Sequence, residues 1–391
     1  MKAIRQISLT LAALGAILAL PYLGAKIKYG GHLPDNFFKY PPIVKPEVAG
    51  FNPYVFGGIA VIFIAVALLY IFPGLYGFKK TTPPPKPQTP KVKFPFWFWL
   101  GLVMWGVPIA LLWSGAEGPK LLLYYSDLPI FWGFTFILDG IVYKLRGGSS
   151  IINDNPKEMI GIGSASVSGW MLFELLNFFI KMNWYYPLGN QIHDNYFLMY
   201  ALVGSSGLLP MAFEWYDLLR TFPKIKHRFD GGKKIVIPAW SSWVLLAVSL
   251  VGMFFMGLYP EQLFWSLWVW PLLILSIVVA KMKIYSPFTP VKDGNWSPLL
   301  LFALAYLLQG VAMEGWNYFS GTHSNGEVIK TLSPAYWVYN VPYVHRYRIF
   351  EMPLLGYVGY LPFSVYCWIY WIVYAYLQGI DTKYYKHLQP E

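Results

Sequence analysis

Two acid/amide couples, Glu174-Leu175-Leu176-Asn177 and Glu314-Gly315-Trp316-Asn317, lie inside apolar stretches of the chain. On a helix the i, i+3 spacing puts each glutamate and its asparagine on one face. A charged carboxylate in hydrocarbon costs about 2.5–3.5 kcal/mol even on the mild insertion scale. Such a group is therefore either functional or paired. As a functional pair, the two carboxylates could carry a proton or cation, act as general acid and base, or bind a polar head group. If close together they would share a proton. As a structural pair, protonated Glu and Asn would clamp helices together. Counted from the inner ends of their spans, Glu174 is expected slightly beyond the membrane midplane and Glu314 a little further out. The two faces are expected to look at each other or into one cavity.

Each couple is followed by an aromatic segment, Trp184-Tyr185-Tyr186 and Trp337-Val338-Tyr339. A third polar group, Glu351, follows His345, Arg346 and Arg348. The basic residues would suit an anionic head group or a salt bridge to a partner, and Glu351 would suit a helix N-terminus. The candidate ligand-binding residues are thus Glu174, Asn177, Glu314, Asn317, Trp184, Tyr186, Trp337, Tyr339, Glu351, Arg346 and Arg348. Of the remaining acids, Asp139 is expected to pair with Lys144 or Arg146, and Glu214 and Asp217 with Arg220 near the inner surface.

Histidine placement excludes a common cofactor. His32, His193, His227, His323, His345 and His387 all fall in loops or tails, so haem b held between two helical histidines is not expected. No cluster has zinc or di-iron spacing, and no metal is expected. Gly161-Ile162-Gly163-Ser164 lacks the strand and acidic residue of a nucleotide motif. Cys367, the one cysteine, reads as a packing residue.

The elements that position these residues follow from composition. Of 391 residues 56% are apolar and 13% charged, with 18 Trp and 30 Tyr. A soluble domain carries about 25% charged residues, so this chain reads as an all-α polytopic membrane protein. The net charge of +11 follows membrane topology and does not imply nucleic acid. Ten spans are expected near 6–24, 53–77, 95–114, 128–145, 161–182, 195–219, 238–258, 263–281, 297–319 and 350–378. The first, with a poor cleavage site at Leu23-Gly24-Ala25, is expected to be a retained helix. With the N-terminus in the cytoplasm, twenty-one of the 30 Lys and Arg residues fall on the inner side. This positive-inside bias puts both termini in the cytoplasm and the protein in the cytoplasmic (inner) membrane. Aromatic residues at the span ends fit interface belts.

The last eight spans read as two copies of a four-helix unit. Pro95-Phe96-Trp97 matches Pro238-Ala239-Trp240, and Phe131-Trp132 matches Phe264-Trp265. The two Glu-x-x-Asn couples and the two Trp-x-Tyr segments match in the same order. Gly204-x-x-Gly207-x-Leu209-Pro210 then matches Gly356-x-x-Gly359-x-Leu361-Pro362. An even number of helices per unit makes the copies parallel, with a pseudo-axis along the membrane normal. The expected divisions are 1–94 (two helices and the proline-rich linker Thr81–Pro87), 95–237 (repeat A) and 238–391 (repeat B and tail).

The run from Asp139-Gly140 through Gly147, Glu174-x-x-Asn177 and Trp184-x-Tyr186 resembles an uncharacterised family of prokaryotic multipass membrane proteins. Glu351-Met352-Pro353 through Leu361-Pro362 resembles it too. The resemblance spans about 140–380 and implies no activity. The Trp337-Val338-Tyr339 segment ahead of Glu351 is also similar to membrane lycopene cyclases, but their consecutive acidic pair is missing. Two four-helix halves resemble, in architecture alone, the quinone-binding anchors of polysulfide-reductase-type complexes. Three functions stay open. The first is a membrane subunit or carrier binding a quinone, lipid or proton from the outer side. The second is an intramembrane enzyme acting on an isoprenoid or lipid by acid–base chemistry. The third is a scaffold anchoring a larger membrane complex. The bilayer is the expected partner, with other membrane or soluble subunits also admitted.

Overall fold

The structure is a computed structural model that describes residues 2–79, 82, 84–85, 88–386 and 388. Thr81, Pro83, Lys86 and Pro87 of the proline-rich run, and His387, lie outside the described residues. Among the described residues, nine helices are long and apolar enough to cross a membrane. The bundle comprises α1 (Lys2–Lys28), α2 (Pro53–Ile71), α3 (Phe96–Ser114), α4 (Asp127–Leu145), α5 (Pro156–Asn177), α6 (Asp194–Ser205), α7 (Leu208–Arg220), α8 (Ala239–Leu258), α9 (Trp270–Lys281), α10 (Ser297–Phe319) and α11 (Tyr360–Gln378). Helices α6 and α7 together make one span.

The tenth expected span is the exception. The apolar helical segment Ser266–Lys281 is too short to count as a crossing helix by length. Pro271 sits in the first turn of α9, where its missing N–H is tolerated and its fixed φ favours a helix start. The segment still connects the two ends of the bundle. Glu261 just before it pairs with Lys181 (3.5 Å), which follows α5. The Met282 carbonyl just after it accepts from Gln6 Nε2 at the start of α1 (3.1 Å). At that same end, the Tyr376 hydroxyl near the end of α11 donates to Gln6 Oε1 (2.8 Å).

Helix starts follow cap chemistry. Asn52 Oδ1 accepts from the Tyr54 and Val55 amides ahead of α2 (2.9 and 3.2 Å). Asn155 does the same for Glu158 (3.4 Å), with Pro156 opening α5. That cap starts α5 about five residues earlier than apolar patterning suggests, because the polar Pro-Lys-Glu turn reads as loop. Glu174 and Asn177 stand in the last turn of α5, with Glu174 about 27 Å of rise from its start. Glu314 and Asn317 occupy the corresponding end of α10.

Six short strands refine the all-helical picture. Arranged as three two-stranded ribbons, they cover the end of the bundle where α5 and α10 finish. They are β1 (Trp184–Tyr185) with β4 (Val338–Tyr339), β2 (Gly321–Ser324) with β3 (Glu327–Thr331), and β5 (Arg348–Ile349) with β6 (Met352–Pro353). The core between α5, α7, α10 and α11 is aromatic, with Phe173, Phe213, Tyr216, Phe302, Trp368 and Trp371 all sealed from solvent. Cys367 packs there, its Sγ 3.6 Å from the Tyr306 hydroxyl.

Two glycines fix how α1 is held. A Cβ on Gly257 of α8 would meet the Pro21 carbonyl oxygen at 1.9 Å, and one on Gly24 would meet that of Phe254 at 2.0 Å. Backbone cannot yield there as a flexible side chain would. Gly257→Leu is expected to separate α1 from α8 and cost about 3 kcal/mol or more, the upper range for overpacking. Gly58→Ala in α2, where nothing lies within 4 Å, is expected to be neutral or to gain up to about 1 kcal/mol from helix propensity. Thermal unfolding in one detergent, followed by circular dichroism, measures both.

Candidate functional site

Glu174 and Glu314 are caged in the same way. The Tyr186 hydroxyl donates to Glu174 Oε1 (2.5 Å) and so does the Trp184 indole (3.1 Å). For Glu314, Oε1 accepts from the hydroxyls of Tyr339 (2.6 Å) and Tyr360 (2.7 Å), and the Trp337 indole stands 3.3 Å from each oxygen. Both carboxylates are almost completely buried. No Lys, Arg or His ion pair to either is found among the described residues. Burial, and next the charge of Glu174, push the Tyr186 phenol well above its ordinary range. Burial and Glu314 do the same to Tyr339. Both phenols therefore stay protonated and serve as donors.

The asparagines do different work from their glutamates. Asn177 Nδ2 donates to the Trp184 carbonyl (2.8 Å) and Asn317 Nδ2 to the Trp337 carbonyl (2.8 Å). Asn317 Oδ1 also accepts from the Trp337 amide (3.2 Å). Each couple thus grips its own Trp-x-Tyr segment: the amide holds the backbone and the carboxylate takes the side-chain donors. Neither asparagine bonds across the bundle; the helix-to-helix bond of the couples is the one from Tyr360 of α11 to Glu314 of α10, and the other bonds named here tie helix to loop.

The two gripped segments are bonded to each other. Trp184 pairs with Tyr339 and Tyr185 with Val338 in the antiparallel β1–β4 ribbon. Beneath the ribbon opens a cavity of about 870 Å³. Its wall includes Trp184, Tyr186, Trp337, Tyr339, Tyr360 and Glu314. Glu174 stands behind its donors Trp184 and Tyr186. The aromatic wall is continuous. Trp170 stacks on Trp184 (6.0 Å between centroids), Trp184 meets Trp268 (5.8 Å), and Trp268 meets Phe363 (5.4 Å). Helix α2, none of whose residues is buried, supplies Val55, Ile59 and Ile62 to one side. Among the lining residues the only charged ones are Asp127 and Glu314; there is no Lys, Arg or His.

No family model, curated protein or solved structure matches this chain. The chemistry of the cavity is therefore what carries the functional reading.

The basic residues proposed for an anionic head group stand elsewhere. Arg346 lies over the rings of Phe51 (4.8 Å) and Tyr347 (5.2 Å). Arg348 Nη1 meets Glu351 Oε2 (3.3 Å) and its Nη2 donates to the Gly326 carbonyl (2.7 Å). Neither lines the cavity. Glu351 caps no helix; it sits in the β5–β6 turn, where Oε1 accepts from the Tyr336 hydroxyl (2.6 Å) and faces His323 Nε2 (3.0 Å). His323 is thus part of a buried polar cluster, stacked on Tyr318 (4.2 Å), and is not a solvated loop residue. Asp139 pairs with neither expected base. Lys144 lies over the Phe94 ring (3.9 Å) and Arg146 reaches Asp217 (3.3 Å).

Much of the cavity wall escapes a reading of the sequence, Tyr40, Asp127, Tyr306 and Tyr360 among it. Tyr40 arrives from the loop after α1, and Asp127 opens α4 just outside the expected span. Tyr306 and Tyr360 look like ordinary span residues. Only Asp127 carries a usable signal, an acid directly ahead of an apolar run.

Proposed function

We propose that this protein is an integral subunit or carrier of the cytoplasmic membrane, with both termini in the cytoplasm, that binds an uncharged lipid-soluble molecule, a quinone or neutral lipid, from the outer side. The observation that carries this reading is the cavity: an aromatic chamber whose charged wall groups are carboxylates alone. A phosphate head group would meet like charge there with no cation to offset it. A lipid hydroxyl would find the Glu314 acceptor, and a quinone oxygen the proton of a protonated Glu314, within one aromatic cage. A proton held at Glu314 would be passed to or taken from such a ligand.

In this reading the cavity lies between two duplicated four-helix units, 95–237 and 238–391. The support is the symmetry of the cages. Exchanging Trp184 with Trp337 and Tyr186 with Tyr339 maps the ribbon pair Trp184–Tyr339 onto its own mirror register across Tyr185–Val338. An antiparallel pair has a local two-fold axis normal to its plane, which suits parallel repeats about the membrane normal. The intramembrane-enzyme reading draws support from the same cage, since an acid in an aromatic chamber can protonate a double bond while the rings stabilise the cation.

A fluorescence titration tests the binding reading, because five tryptophans stand in the cavity wall. A water-dispersible quinone is expected to quench tryptophan emission saturably in the purified protein. Anionic phospholipid is expected not to compete. Quenching that never saturates, or that anionic lipid displaces, contradicts the reading.

A further inference from the structure

We infer that Glu214 and Asp139 form a second, separate proton-binding site at the opposite end of the bundle, in which Glu214 carries the proton and donates it to ionised Asp139. The inference rests on hydrogen-bond accounting and not on the outer cavity. Asp139 of α4 is fully buried and receives three donors: the Trp97 indole (2.8 Å), the Ser150 hydroxyl (2.8 Å) and the Ile152 amide (3.1 Å). Such a set is what an ionised carboxylate requires. Glu214 of α7 is equally buried, yet neither of its oxygens receives a hydrogen bond from any donor among the described residues. An ionised Glu214 would be a charge with no donor, lying within hydrogen-bonding reach of Asp139. Two touching carboxylates do not both ionise. With Asp139 already furnished, the proton belongs on Glu214.

The neighbouring charges are committed elsewhere. Asp217, one turn along α7, pairs with Lys383 (2.7 Å), Arg146 (3.3 Å) and Arg220 (3.7 Å). Glu158 of α5 takes the Thr382 hydroxyl (2.5 Å) and the Lys383 amide (2.9 Å). The Tyr384 hydroxyl donates to Asp217 (3.3 Å), and its ring stacks on Phe213 (4.0 Å). The segment Thr382–Tyr384 is therefore folded onto Asp217 and Glu158, beside the acid pair. Ser150 and Ile152 lie just ahead of α5, while Glu174 ends that helix. The two acid sites are thus separated by nearly the whole membrane-spanning length of α5.

Infrared spectroscopy of the full-length protein tests the assignment near neutral pH. The wild-type minus Glu214→Gln difference spectrum is expected to show loss of one protonated-carboxyl stretching band that shifts in heavy water. Asp139→Asn, which removes the ionised acceptor, is expected to move or abolish that same band. Glu158→Gln is expected to leave it in place. Loss of an ionised-carboxylate band in Glu214→Gln, with every protonated-carboxyl band unchanged, overturns the proposal. If Glu214→Gln does not assemble, the Asp139→Asn spectrum decides alone: a band moved or lost supports the pair, and an unchanged set of bands refutes it.

Discussion

Glu314→Ala is expected to lose the proposed cavity ligand and to destabilise the bundle more than any other single change in its cage. The hydroxyls of Tyr339 and Tyr360 and the Trp337 indole all end on this carboxylate. Interhelical hydrogen bonds in membranes average about 0.6 kcal/mol, so three lost bonds set a floor near 2 kcal/mol. Leaving two buried phenols without an acceptor adds about 1–3 kcal/mol each. The expected loss is on the order of 4 kcal/mol. Glu314→Gln is expected to be milder, about 1–2 kcal/mol, because its one carbonyl oxygen can still accept from both tyrosines. Its amide would then point donor to donor at Trp337. The ranking Ala worse than Gln, read by thermal unfolding in detergent, checks the cage. Equal stability of the two variants would show that the phenols find other acceptors.

Ala201→Trp is the complementary change. Ala201 of α6 lines the cavity and is 7% exposed. The chamber of about 870 Å³ has room for an indole without moving helices. Stability is expected to hold within about 1 kcal/mol, as the added ring buries apolar surface. Ligand affinity is expected to fall tenfold or more, at least about 1.4 kcal/mol, since the indole takes space the ligand needs. The quinone-quenching titration measures this directly. Unaltered affinity would place the ligand elsewhere. Together the variants separate chemistry from space: Glu314→Gln keeps the volume and changes the acceptor, while Ala201→Trp keeps the acceptor and changes the volume.

Much of the helical layout was legible because hydrocarbon thickness imposes a length on any crossing segment. Helices α3, α8 and α10 start within a residue or so of where apolar patterning places them. The patterning misplaced α5 because Asn155-Pro156-Lys157-Glu158 is a polar cap, and caps extend helices without adding apolar residues. With that cap included, Glu174 stands in the last turn of α5. In the site, the spacing of Glu174 to Asn177 and of Glu314 to Asn317 marked residues on one face correctly. It could not show that each couple turns toward its own Trp-x-Tyr segment, since that partner is fixed by a loop's path. The pairing of Trp184 with Tyr339, the arrival of Tyr40 and Tyr360, and the folding of Lys383 and Tyr384 onto Asp217 are likewise long-range contacts with no local period. The place of Arg346 over the Phe51 ring is a long-range contact of the same kind.

The central claim is that the chamber under the β1–β4 ribbon holds an uncharged amphiphile. Its most direct test is mass spectrometry of small molecules extracted from protein purified in mild detergent, with Ala201→Trp prepared in parallel. The account predicts a neutral quinone or lipid in near-stoichiometric amount with the wild type and its depletion from the variant. An anionic lipid as the retained species, or the same neutral molecule held equally by both proteins, would contradict it.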